Sequence, residues 1–103
     1  MTETEFERSV DALLQKIEAA LEANAPDVDF ETVAGILTLE FDDGSKIIIN
    51  RQSASQELWI AAKSGGYHYR WDGKQWRDTR SGDEFMSALA RFASQQAGQD
   101  VRL

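Results

Sequence analysis

The first 43 residues of this 103-residue chain carry twelve carboxylates against two basic side chains, Arg8 and Lys16. Four of the twelve, Glu7, Asp11, Glu18 and Glu22, fall within about 60° of one another on a helical wheel and so form one edge of a helix. Asp27, Asp29 and Glu31 follow at alternate positions, which puts three more carboxylates on one side of a strand. Carboxylate oxygens are ligands for hard cations, and a solvent-exposed row binds weakly and exchangeably because no outer shell fixes its geometry. The same charge steers association with a basic protein surface, at a rate that falls with salt. The plain alternative is a solvated helix face with no ligand at all.

Other chemistry is scarce. Without cysteine there are no disulfides and no thiolate metal sites, and His68 is the only possible nitrogen ligand. No Ser/His/Asp set, HExxH motif or P-loop occurs, so an enzyme is not expected. Net charge is −10 over residues 1–43 and +3 over the rest, a dipole suited to cations or a basic protein and poorly suited to nucleic acid. The acidic N-terminus lacks an apolar signal core and no run approaches 18 apolar residues, so neither export nor a membrane span is expected, and the cytoplasm is the expected location.

A second group of residues suits recognition. Residues 46–60 read as two strands joined by a polar turn, with Ile47, Ile49 and Arg51 on one face and Ile48, Asn50 and Gln52 on the other. In the second strand Leu58, Ile60 and Ala62 form the apolar row, which leaves Trp59 on the face that carries Glu57. An indole among Asn and Gln has the composition of a docking anchor. Packing beneath a loop is the ordinary alternative.

These side chains need elements to hold them. Phe6, Val10, Leu13, Leu14, Ile17, Ala20 and Leu21 predict a helix from Thr4 to about Asn24, ended by Ala25-Pro26. Residues 27–33 alternate as a strand with Val28 and Phe30 inward, and its row of acids predicts an edge position. Residues 36–41 form the next strand, with Leu37, Leu39 and Phe41 inward, and Asp42-Asp43-Gly44-Ser45 turns a hairpin. Beyond the central pair, residues 67–71 direct Tyr67, Tyr69 and Trp71 to the core and His68 and Arg70 outward, and residues 75–78 add a short strand. Ser81-x-x-Glu84 has the form of a capping box before a helix bearing Phe85, Leu89, Phe92, Ala93 and Gln96, ended by Gly98. Val101 and Leu103 form a tail able to pack back. The expected fold is α+β: one domain over residues 1–103, a two-layer sandwich of five or six antiparallel strands with both helices on one face.

That order, together with Asn50-Arg51-Gln52, Leu58-Trp59-Ile60, Gly65-Gly66-Tyr67-His68-Tyr69, Trp71, Gly73, Trp76 and the Ser81-Gly82 entry to the last helix, resembles the frataxin family over essentially the whole chain. Residues 44–52 and 94–98 are similar in particular to its bacterial CyaY branch. The resemblance implies an acidic iron-binding ridge at Glu18, Glu22, Asp27, Asp29 and Glu31, with Glu3, Glu7 and Asp11 as further positions on the helix. It implies weakly held Fe(II) or Fe(III), with Mg, Ca or Mn as alternatives. A role in iron–sulfur cluster assembly follows from it, as regulator of the cysteine desulfurase and as a possible iron donor. A face bearing Asn50, Gln52, Glu57, Trp59 and His68 would meet partners, notably the scaffold protein. A monomer is expected, with iron-dependent oligomers left open. Ala19, Ala23 and Asn24 stand where bacterial relatives often carry acids, Glu57 where a glutamine is usual and Ala54 at the turn proline. The alternative function is an acidic adaptor that docks on a basic partner without physiological metal. A nucleic-acid-mimicking decoy would leave Trp59 unexplained, and a ferroxidase would need a di-iron cage.

Overall fold

Thr2 and Glu5 open the first helix. In the computed structural model, which describes all 103 residues, the Thr2 hydroxyl accepts from the Glu5 amide at 3.1 Å and the Glu5 carboxylate from the Thr2 amide at 2.9 Å. This reciprocal cap starts the helix α1 at Glu3, and it runs to Asn24. Its apolar stripe buries Phe6, Val10, Leu14, Ile17 and Leu21.

Six strands follow: β1 (Asp29–Val33), β2 (Ile36–Glu40), β3 (Lys46–Gln52), β4 (Glu57–Ala62), β5 (Gly65–Trp71) and β6 (Trp76–Asp78), before the helix α2 (Phe85–Ala97). The strands pair antiparallel in chain order, β1 to β6, so β1 is an edge strand as its acids predict. Val28 and Asp27 lie just before the strand rather than in it. Both helices cover the face that displays Leu37, Leu39, Ile47, Ile49, Leu58, Ile60 and Tyr69, none of them more than 1% exposed. Each such aliphatic side chain contributes about 1.5–3 kcal/mol on burial. The opposite face meets solvent, which makes the two-layer α+β sandwich.

Two expectations are corrected. Trp71 shares the inward pleat of Tyr69 but does not join the core: it is 40% exposed, because Trp76, its partner across the strands, takes the covered place at that corner against Phe6. The Trp71 indole packs edge-on against Trp76 at 5.6 Å. Ser81 does not cap α2 either. The chain runs on through a β-bridge between Arg77 and Glu84, and Glu84 becomes the cap, accepting from the amides of Met86 at 2.6 Å and Ser87 at 3.1 Å. Gly98, in the left-handed region at φ +71°, ends α2 as expected, and Val101 is buried against it.

Candidate functional site

The acidic edge is built where α1 lies along β1. Glu18 accepts from the Thr32 hydroxyl at 2.6 Å, tying the helix to the inward pleat of the edge strand. One turn later Glu22 shares a shallow groove with Asp29, lined also by Leu21, Ala25, Pro26, Val28 and Phe30. Asp29 and Glu31 stand on the outer pleat of β1, in register with Glu40 and Thr38 of β2. They border a second depression with Glu40 and Lys46. The edge therefore turns a corner: helix carboxylates on one side of β1, strand carboxylates on the other.

Glu22, Asp27, Asp29 and Glu31 are exposed, and Glu18 is half-buried. The structure does not bring all eight acids together. Glu3 lies beside the β3–β4 turn against Ser53–Gln56, and the helical rise sets it about 28 Å from Glu22. Glu7 and Asp11 are engaged by Arg51, whose guanidinium donates to Glu7 Oε2 at 2.7 Å and to Asp11 Oδ1 at 2.8 Å. The other Glu7 oxygen accepts from Ser53 Oγ at 2.7 Å. That hydrogen bond, and then Arg51, holds the Glu7 carboxyl below the usual carboxylate range. Nowhere do three His, Asp or Glu side chains converge into a ready cage for a metal ion.

The second cluster occupies the open sheet face. Register places Trp59 opposite Asn50 on one side and His68 on the other, and Glu57 between Gln52 and Arg70. The Trp59 and His68 rings stack at 4.3 Å with 5° between their planes. Glu57 lies beside them at the next position on the same face of β4, only 9% exposed. Its Oε1 accepts the Trp59 indole N–H at 3.0 Å and its Oε2 the Arg70 Nε–H at 2.8 Å, while His68 Nδ1 stands 3.7 Å from Oε1. The Trp59 hydrogen bond outweighs burial, with help from Arg70, and keeps Glu57 below the usual carboxylate range. Glu57 thus adds little free charge to the surface. It anchors the indole, which stands half-buried and stacked on His68 of the neighbouring strand.

The two clusters are separate, since β4 lies three strands from β1, about 14 Å at ordinary strand spacing. Two residues that complete them, Arg51 and Arg70, stand outside the site set drawn from the sequence. Arg51 carries a legible signal, a cation on the apolar row of β3 that must end under a helix rich in acids. Arg70 has one only in the register that sets it opposite Glu57.

Comparison with known proteins agrees with this architecture. The family model described as a frataxin-like domain matches residues 1–99. The chain is 48% identical to the iron–sulfur cluster assembly protein CyaY of Paraburkholderia phymatum, covering all of this chain and 98% of that one. It is 50% identical to CyaY of Dechloromonas aromatica, covering all of this chain and 99% of the relative. Among solved structures, frataxin from Psychromonas ingrahamii superposes with a TM-score of 0.92 at 39% identity, over 99% of this chain and 97% of that one. Trimeric frataxin from Saccharomyces cerevisiae, complexed with ferrous iron, superposes with a TM-score of 0.72 at 25% identity, over 92% and 87%. With two helices laid on a six-stranded meander, full-length similarity to bacterial relatives and a matched domain that leaves only four residues over, the chain belongs to the frataxin family, in its bacterial CyaY branch.

Proposed function

We propose that this protein serves iron–sulfur cluster assembly in the cytoplasm, without catalysing a reaction of its own. Iron, as cargo, is held weakly on Glu18, Glu22, Asp27, Asp29 and Glu31, and the same acidic edge docks on a basic surface of the cysteine desulfurase. The sheet face around Trp59 meets the scaffold protein. The observation that carries the reading is the exposed carboxylate edge at the α1–β1 junction in a member of this family, whose relatives bear the cluster-assembly name. An all-oxygen, solvent-exposed donor set suits Fe(II), Fe(III) and other hard cations, and its openness suits a cargo that must leave. Because one edge serves both ligands, bound iron would weaken the desulfurase contact, and the protein would act as an iron-responsive brake.

The test is chemical-shift mapping with Fe(II), with a diamagnetic divalent control and with purified desulfurase. The first two should perturb residues 18–31, the desulfurase the same residues, and the scaffold protein those around Trp59. Neutralising Glu18, Glu22, Asp27, Asp29 and Glu31 together takes the formal net charge from −7 to −2. It should reduce both iron uptake and desulfurase affinity while the fold persists or gains stability from relieved repulsion. Unaltered iron and desulfurase binding in that variant would defeat the assignment.

A second reading is supported by the absence of any three converging ligands. In it the edge is a docking surface only, and iron plays no physiological part. Desulfurase binding that responds to the five substitutions but not to saturating Fe(II) would select it.

A further inference from the structure

Arg51 sits at a junction of three elements. Its backbone belongs to β3, on the pleat of Ile47 and Ile49, and its side chain passes beneath α1 with only 14% exposure. The guanidinium bridges Glu7 and Asp11 at 2.7 and 2.8 Å and rests against the β1–β2 turn, where a Cβ added to Gly35 would lie 3.3 Å from its Nη2. Burial opposes the charge, but the hydrogen bonds it donates to Asp11 and Glu7 outweigh that and leave the guanidinium more firmly protonated than usual.

Glu7 and Asp11 lie on the same helical edge as Glu18 and Glu22, so composition alone would extend the acidic ridge along the whole helix. The coordinates divide it. Both Glu7 oxygens are spent, one on Arg51 and one on Ser53, and Asp11 keeps a single oxygen with a fixed positive charge beside it. Toward the C-terminal end of α1 no arginine or lysine pairs with Glu18, Glu22, Asp27, Asp29 or Glu31, although Lys46 borders the depression next to Asp29 and Glu31.

We propose that Arg51 is a built-in counter-cation that sets the length of the cation-binding edge: it occupies Glu7 and Asp11 and confines divalent cations to the carboxylates from Glu18 onward. This rests on the reading of that edge as a metal-binding surface. A tethered cation competes at a high effective concentration against a free one, and its charge also repels an incoming dication. Arg51 is thus a specificity-determining residue acting by occupation. The orphaned Nε, buried without an acceptor, fits a guanidinium aimed by its two carboxylates rather than by its own full complement of hydrogen bonds.

Paramagnetic broadening by Mn(II) tests this on the intact chain. In the unaltered protein the amides near Glu22 and Asp29 should broaden at Mn(II) concentrations that leave those of Glu7 and Asp11 sharp. In Arg51→Gln the concentration needed to broaden Glu7 and Asp11 should fall about tenfold, the scale of removing one positive charge beside a dication. Arg51→Lys should restore the resistance, which a merely structural role for the arginine would not predict. Simultaneous broadening at both ends in the unaltered protein would overturn the proposal, and that readout needs no variant to fold. So would an Arg51→Gln variant that keeps its amide spectrum and gains nothing at Glu7 and Asp11. If no amide near Glu22 or Asp29 responds in any variant, the metal-binding reading fails by itself. A gain confined to Glu7 and Asp11 in Arg51→Gln would then still support the role of Arg51.

Discussion

Glu57 shows how a single side chain changes character when its neighbours are in place. In the sequence it is a charge on an outer strand face; in the fold it is a buried acceptor with both oxygens in use, holding Trp59 and Arg70. Glu57→Gln keeps an acceptor for the indole but loses the ion pair, whereas Glu57→Ala loses both. The expected costs are below about 1 kcal/mol for the first and about 1–3 kcal/mol for the second, measured by urea unfolding. In the alanine variant the Trp59 indole N–H resonance should move toward its solvent-exposed position. The pH dependence has a definite sign. Because folding lowers the Glu57 value, its contribution is complete above the unfolded carboxyl range and is lost as pH falls through the folded value. Tyr69 is the opposite case, a fully buried ring whose hydroxyl has no partner and whose ionisation burial pushes well up. Tyr69→Phe removes an uncompensated polar group, so thermal unfolding should show unchanged or higher stability, by up to about 1 kcal/mol.

At the level of elements, the helix starts distinguish local pattern from tertiary outcome. Thr2-x-x-Glu5 forms its capping box because nothing else claims those residues. Ser81-x-x-Glu84 has the same form and does not, since the turn through Gly82, at φ +76°, and the β-bridge of Glu84 to Arg77 delay the helix until Phe85. Glu84→Ala should therefore cost about 1 kcal/mol in chemical denaturation, and Ser81→Ala a few tenths. Equal losses would return the cap to Ser81. The β1–β2 turn carries positive φ at both Ala34 and Gly35, the backbone of a type I′ hairpin whose twist suits the adjoining strands. That turn carries Gly35 up to Arg51, so a strained alanine sits where the acidic edge is sorted into paired and open halves.

For the molecule as a whole, the two surfaces are set apart by sheet width and differ in kind. The acidic edge is charged and solvated, while the Trp59 face is flat, half-apolar and stiffened by stacking and hydrogen bonds. Trp59→Ala separates docking from folding. Half-buried and outside the main core, the indole should contribute about 1–2 kcal/mol to stability, less than the 3–5 kcal/mol lost with a core aromatic. If it anchors the scaffold protein, affinity should fall by 2 kcal/mol or more in calorimetry. A loss of stability larger than the loss of affinity would make Trp59 a packing residue.

Periodicity by itself settled the two helices, a sheet of five or six strands and the inward rows of β2, β3 and β4, because a hydrophobic face must be buried and a one-residue slip would expose it, and the row of acids marked β1 as an edge strand. The same reading located the acids and placed the Trp59 indole on the open face. Only the folded chain decided which of those acids are free, because Arg51 and Ser53 reach Glu7 and Asp11 across 40 to 46 residues of sequence. Only the strand register turned Glu57 from a surface charge into the anchor of Trp59, and only the crowding of Trp76 beneath Phe6 left Trp71 outside. Helical and strand patterns report which way a side chain leaves its own backbone, whereas the pairing of charges depends on which distant residue arrives opposite it.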